Sequence, residues 1–316
     1  MARYVFTLLL FCLAIPAFGK IVDSNGNPLP EVLQILRLME KSTSYKVIPG
    51  ASAKELTSVL QEKFIRPKGA ERLAPASLAH YHHLMKGLSQ GNKKKIQALF
   101  RKLGDVDPVF PTQKEFDFIL INGSTVQNMR KRIMFLSDAI RDGKIKLKVN
   151  TQVVFLDGER KLFPSENTEN LMNPAPYPIR TGWEAPSQLP TDEREAAELV
   201  WNELDLTPAL RAKQPLFVHA EKKLTAQRAE TEDCVMKWAS QYHPQPGTAL
   251  VVSNNPYIYY QSLLTKVIFK KMGLNGIVLE SLGSGTQTGK DTENVDLGLM
   301  LDNLARTFYT LTSIHE

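Results

Sequence analysis

Residues 116–132, FDFILINGSTVQNMRKR, contain the feature that decides the fold. An apolar-rich run of six residues, 116–121, stops at the turn-forming triplet NGS at 122–124. Apolar residues then recur at helical spacing, at Val126, Met129, Ile133, Leu136 and Ile140. A short apolar run before turn residues indicates a buried strand, and the spacing after it indicates an amphipathic helix. This stretch therefore predicts one strand–turn–helix unit.

The same unit recurs towards the C-terminus. Apolar runs at 152–156, 216–220, 249–252 and 276–280 alternate with helical patterns at 191–204, 229–241, 257–272 and 293–306. Continuous apolar strands between helices are typical of a parallel sheet that is covered on both faces. Residues 111–316 are therefore predicted to form an α/β domain with a Rossmann-like, open, mostly parallel sheet of about five strands. Residues 307–314, TFYTLTSI, are a candidate for an additional edge strand.

The chain before this domain has a different pattern. Residues 20–110 show helical periodicity and no strand signal, and residues 105–114, with two prolines, are interpreted as a linker. Residues 1–19 combine a basic start, an apolar core and a small-residue cleavage site, which predicts a signal peptide cleaved after Gly19 and a periplasmic or secreted location. An uncleaved N-terminal anchor is the alternative. No later apolar run is long enough for a transmembrane helix.

Composition and missing motifs exclude several classes of protein. The chain is 43% hydrophobic and 23% charged, as globular proteins are, and two cysteines are too few for a disulfide scaffold. A net charge of +6 allows an anionic partner but does not indicate nucleic acid. The dinucleotide fingerprint, the phosphate loop and the serine hydrolase elbow are all absent from the sequence. His80 and His83 share a helix face without a third ligand, so no metal site is assigned, and no cofactor is identified.

Polar residues follow the predicted strands at the edge where ligands of open α/β sheets bind. Asp157, directly after the second strand, is a candidate for acid–base chemistry. The candidates for ligand binding are Gly123, Ser124, Arg130, Glu159, Ser253, Asn254 and Asn255. Residues 161–190 contain six prolines and no clear element, and long segments of this kind are often functional lids. We expect this segment to cover the strand ends and to bring Glu195 near Asp157 and Arg130; the alternative is a disordered surface insertion.

Five segments carry a resemblance to a known family. They are FDFILINGSTVQNMRKR, with Arg130 or Arg132 as its arginine, TQVVFLDGER, TDEREAAELV with Glu195-Ala196, TEDC at 231–234, and LVVSNNPYIYYQS, with Tyr and Gln at the family's His and Arg positions. Their order over about residues 115–282 resembles the YdcF-like family of bacterial envelope proteins, which includes the SanA and ElyC types. The resemblance implies an exported protein in envelope or peptidoglycan-related processes. It adds Glu195 and Asp233 as acid–base candidates and Thr231 as a ligand-binding candidate, with helix capping as the other role of Thr231.

Two functional hypotheses remain open from the sequence. The first is a protein, enzymatic or descended from an enzyme, that handles a small polar or anionic ligand at the strand ends, with Asp157, Glu195 and Asp233 as catalytic candidates. The second is a non-catalytic secreted effector or envelope scaffold that acts through a protein partner.

Overall fold

A computed structural model describes residues 21–48, 50–224, 226, 228–286 and 292–313. The predicted signal peptide, residues 1–19, lies outside the described residues. Among the described residues, no helix combines the length and the apolar character needed to cross a membrane.

Five parallel strands form a single sheet. They are β1 (Glu115–Asn122), β2 (Lys146–Gly158), β3 (Leu216–Ala220), β4 (Gly247–Asn254) and β5 (Ile277–Ser284). Their order across the sheet is β3-β2-β1-β4-β5, so β1 pairs with both β2 and β4. Successive strands are added on one side of β1 as far as β3 and on its other side from β4 to β5, so the strand order reverses between β1 and β4. In open α/β sheets, the strand ends form a crevice at such a point. The predicted α/β fold, with its Rossmann-like parallel sheet, is confirmed.

Helices cover both faces of the sheet because alternate strand residues point to opposite sides. Ile119 and Ile121 of β1 pack into the core beneath α5 (Val126–Arg141) and α7 (Glu193–Glu203). Leu120 points the other way, into the core formed with α9 (Thr231–Tyr242) and, through Ile268, α10 (Ile258–Lys271). Two short helices, α6 (Thr168–Met172) and α8 (Pro208–Arg211), lie in the connections on either side of α7.

A second core belongs to a group of helices that we call the helical body. It contains α1 (Pro30–Thr43), α2 (Ala53–Phe64), α3 (Pro75–Met85), α4 (Gln90–Leu103) and the last helix, α11 (Glu293–Ser313). The candidate edge strand at 307–314 is wrong for its described residues, which continue α11 to Ser313. Phe308 packs in the core of the helical body together with Leu304, one turn earlier. This spacing requires a helix.

Candidate functional site

A cavity of about 710 Å³ lies at the carboxyl ends of the strands, between the sheet and the helical body. The α/β part contributes the turn after β1, the segment after β2, the start of α9 and the start of α10. The helical body contributes the loop 69–75 between α2 and α3, and Arg306 of α11. We call this space the strand-end cavity. Its volume is in the range of small-molecule sites.

Three residues predicted from the sequence line the strand-end cavity: Gly123, Ser124 and Thr231. The Gly123 N–H donates to the Leu156 carbonyl across the strand ends, at 2.9 Å. Gly123 does not have a positive φ, so its importance does not come from backbone strain. A Cβ at this position would instead lie 2.0 Å from Glu193 Oε1 and 3.0 Å from Asp157 Oδ1. The glycine leaves room for two carboxyl groups.

A buried ionic network holds one wall of the cavity. Arg160 donates to Glu166 at 2.6 Å and to Glu193 Oε2 at 2.5 Å. Glu166 Oε1 also accepts the N–H of Val126, the first residue of α5, at 2.9 Å. Burial alone would lower the pKa of Arg160, but the two carboxylates outweigh it and hold the pKa above its ordinary value. Arg160 therefore stays charged and fixes the position of Glu193.

Asp157 lies behind Gly123 with no exposed surface, and neither carboxyl oxygen has a hydrogen-bond partner among the described residues. Burial, together with the negative charge of Glu193, raises the pKa of Asp157 well above its ordinary value. The environment therefore favours the neutral carboxylic acid, which can donate as well as accept a hydrogen bond.

Four arginines of the described chain line the cavity. Of these, Arg72 is the one that has no carboxylate at salt-bridge distance within the described chain. Its guanidinium carbon lies 4.2 Å from the centroid of the Tyr257 ring, and its buried Nε has no hydrogen-bond partner. Nearby, Arg132 is fully buried and donates to the carbonyls of Asn122 and Gly123. Burial and the positive charge of Arg72 lower the pKa of Arg132 to about 10. Among the described residues, neither of these two neighbouring guanidinium groups has a direct carboxylate partner.

The other two arginines contributed by the segments around the cavity already have carboxylate partners. Arg228 Nε pairs with Glu71 at 3.2 Å, which joins the segment before α9 to loop 69–75. Arg306 Nε pairs with the buried Asp302 at 3.1 Å, and Asp302 also holds Arg66 at 2.7 Å. In both pairs a carboxylate already compensates the arginine, so neither Arg228 nor Arg306 requires a ligand.

The structure does not bring Arg130 to the cavity. Its side chain is fully buried and donates to both oxygens of Glu203, at 2.6 and 2.9 Å. Its remaining donors bind backbone carbonyls of the segment 161–190, at Asn170, Leu171 and Asn173. The expected lid is therefore anchored to α5, and of that segment residues 163–165 line the cavity.

The acidic residues predicted to act with Asp157 have separate structural partners. Glu195 accepts the N–H and hydroxyl of Thr191, which lower its pKa, and it lines a different surface depression. Asp233 accepts the N–H of Glu230 in a capping box and pairs with Lys223 at 3.1 Å. The exposed Glu159 pairs with Lys222. None of the three lines the strand-end cavity, because each satisfies its own helix end or loop.

The residues predicted to follow the fourth strand are buried and bonded within the protein, and Ser253 and Asn254 are the last two residues of β4. Ser253 donates to Gln261, and Asn254 accepts from Arg132 Nε at 2.8 Å. Asn255 donates to the carbonyls of Gly104 and Asp107 and so ties β4 to the end of the helical region. Their side chains support the cavity from behind and do not line it.

Sequence reasoning did not select Glu193 or Arg72. Glu193 could have been found, because it lies three and four residues before Ala196 and Ala197 on the buried stripe of α7. Arg72 lies in a loop without periodicity, and no sequence signal marks it. In the described part of the chain, no group of three or more His, Cys, Asp or Glu side chains is placed to hold a metal ion.

The fold and the cavity define an α/β protein with a small-molecule-sized site at its strand ends. In comparisons with known proteins, no family model matches the chain, and no curated protein or solved structure is found to be similar. The resemblance to the YdcF-like family stays a prediction.

Proposed function

We propose that this protein binds a small anionic ligand, such as a phosphate ester or a carboxylate, in the strand-end cavity. The observation that carries the proposal is Arg72, a partly buried guanidinium without a carboxylate partner in the described chain. Removing a cation from water costs free energy unless a counter-charge compensates it. A bound anion would supply that charge.

The surroundings of Arg72 favour an anion over a neutral ligand. The ring of Tyr257 fixes one face of the guanidinium and leaves its edge available for hydrogen bonds. The buried charge of Arg132 adds to the positive potential, and the fork of an arginine matches the oxygens of phosphate and carboxylate groups. No reaction is proposed, because the predicted acidic residues other than Asp157 have partners away from the cavity.

The cellular setting is part of the same proposal. The N-terminal pattern of residues 1–19 and the resemblance to the YdcF-like family favour an exported protein that acts in the bacterial cell envelope. The ligand would then be a small envelope or periplasmic molecule.

Calorimetric titration with ethyl phosphate tests the binding proposal. We expect saturable binding that weakens by about tenfold or more in Arg72→Ala, because a charge-assisted hydrogen bond is lost. Arg194→Ala is the matched control, since Arg194 is exposed and pairs with Glu198 on the surface of α7. Equal binding by Arg72→Ala and the wild type would refute the role of Arg72.

A further inference from the structure

The strand-end cavity contains a second polar feature, of the opposite charge to Arg72. Glu193 lines the cavity although only 6% of its surface is exposed. Its Oε2 accepts from Arg160, whereas Oε1 accepts no hydrogen bond from any described residue. Glu193 Oε1 instead occupies the space that a side chain at position 123 would fill.

Arg160 does not fully compensate Glu193. The same guanidinium also donates to both oxygens of Glu166, so one cation serves two buried carboxylates. Arg132 carries a further positive charge nearby, but its donors are directed to the carbonyls of Asn122 and Gly123 and to Asn254. Neither arginine supplies a donor to Glu193 Oε1.

Asp157, on the other side of Gly123, is a second buried carboxyl group near the cavity. It has no exposed surface, and both of its oxygens lack partners among the described residues. Buried carboxyl groups in folded proteins are almost always hydrogen-bonded, since leaving one unpaired costs free energy. Asp157 and Glu193 flank the same glycine, but Asp157 lies behind it and does not line the cavity, so Glu193 is the carboxyl group of the two that a ligand can reach.

We propose that the ligand carries a hydrogen-bond donor, a hydroxyl or an ammonium group, which Glu193 binds beside Gly123 while Arg72 binds the ligand's anion. The proposal rests on the proposed function and narrows it, because the ligand becomes a bifunctional molecule with an anion at one end and a donor at the other. A hydroxylated or amino-substituted phosphate ester or carboxylate has this chemistry. A purely anionic molecule does not satisfy Glu193.

Three probes that differ at one position separate the two proposals. Ethyl phosphate has no donor beyond the phosphate, 2-hydroxyethyl phosphate adds a hydroxyl, and phosphoethanolamine adds an ammonium group. We expect wild-type protein to bind at least one donor-bearing probe about tenfold or more tightly than ethyl phosphate, because a hydrogen bond to a charged acceptor is gained. If no probe binds, the proposed function and this inference both fail. If all three bind equally, the proposed function stands and this inference fails.

Glu193→Gln identifies the group that recognises the donor. It should remove most of the preference for the donor-bearing probe and leave the affinity for ethyl phosphate within about threefold, because the anion is held elsewhere. Glu195→Gln, two residues along the same helix and outside the cavity, should retain the preference. The wild-type comparison decides the proposal even if Glu193→Gln does not fold. The proposal would be overturned if folded Glu193→Gln kept the same preference for the donor-bearing probe. It would also be overturned if Mg²⁺ alone, without any probe, raised the melting temperature of the wild type but not that of Glu193→Gln.

Discussion

At the scale of single residues, Asp157 links the site to the stability of the protein. Its carboxyl group is buried without a hydrogen-bond partner in the described chain, and its pKa lies well above the ordinary value. In the unfolded chain the group ionises at its ordinary pKa of 3.8, whereas in the folded protein it keeps its proton to higher pH. Its contribution to stability is therefore full below that ordinary pKa and is lost as the pH rises towards the folded pKa.

Asp157→Asn should remove this pH dependence. We expect the variant to gain stability relative to the wild type between about pH 4.5 and about pH 7.5, by about 1 kcal/mol or more, because an amide has no proton to lose. Urea unfolding of both proteins at the two pH values measures the difference. A variant that is destabilised equally at both values would contradict the raised pKa of Asp157.

Gly123→Ala should destabilise the fold. The new Cβ would lie 2.0 Å from Glu193 Oε1, and Arg160 holds that carboxylate in place. We expect a loss of about 1–3 kcal/mol in the free energy of unfolding, as for other overpacked sites. Gly91→Ala is the control, since its nearest neighbour is 3.8 Å away and it lies in helix α4. Equal stability of the two variants would show that the space beside Gly123 is not filled by Glu193.

The choice between Glu193 and Glu195 shows what the sequence could and could not indicate about the site. The expectation that ligands bind at the carboxyl ends of the strands indicated the turn at Gly123 and Asp157. The resemblance to the YdcF-like family indicated Glu195. The buried stripe of α7 passes through Glu193, so periodicity alone favours this residue. Arg72 could not be predicted, because its place depends on how a loop of the helical body meets the sheet.

At the scale of elements, the buried side chain of Arg130 holds residues 170–173 of the segment 161–190 against α5. Arg130 of α5 donates to Glu203 at the end of α7 and to three carbonyls of the segment. The guanidinium of Arg130 therefore links α5, α7 and the segment 161–190, and this position between them accounts for its burial. The same bonds hold the segment against α5 and leave residues 163–165 at the cavity.

Arg130→Ala should destabilise the fold and not the binding site. Breaking a buried pair leaves Glu203 uncompensated, which costs about 3–5 kcal/mol. Arg141→Ala on the same helix should cost within about 0.5 kcal/mol, because its pair with Asp138 is exposed. Chemical unfolding of the two variants compares them. A stable Arg130→Ala protein with weakened binding of ethyl phosphate would restore Arg130 as a ligand contact.

Most helices and strands could be predicted from their apolar patterns, but the start of β2 and the end of α11 could not. β2 begins at Lys146, before the apolar run, because Lys146 and Leu147 pair with Glu115 and Phe116 of β1. α11 extends through a threonine-rich stretch with strand-like composition. The hydroxyls of Thr307 and Thr310 donate to carbonyls four residues earlier, and Phe308 packs in the helical body, so tertiary contacts outweigh strand propensity.

At the scale of the whole molecule, the N-terminal and C-terminal parts of the chain meet over the strand ends. The ion pair of Arg66 with Asp302 joins the residues after α2 to α11, and that of Glu71 with Arg228 joins loop 69–75 to the segment before α9. The cavity is enclosed by both parts, so a ligand would contact the sheet and the helical body at once. This arrangement could not be foreseen from a division of the sequence near residue 110.

Export is the prediction that concerns the whole chain. The pattern of residues 1–19 predicts cleavage between Gly19 and Lys20. N-terminal sequencing of protein recovered from the periplasm or the medium should therefore begin at Lys20. Protein in that fraction that still begins at Met1 or Ala2 would show that the segment is not a cleaved signal.

The position of a bound anion tests the central claim most directly. A crystal structure of the protein grown with ethyl phosphate, at a concentration that saturates binding in solution, would locate the phosphate. We predict phosphate oxygens within about 3 Å of the Arg72 guanidinium, the distance of a charge-assisted hydrogen bond. A saturated protein whose phosphate lies outside the strand-end cavity, or inside it without contact to Arg72, would contradict the account.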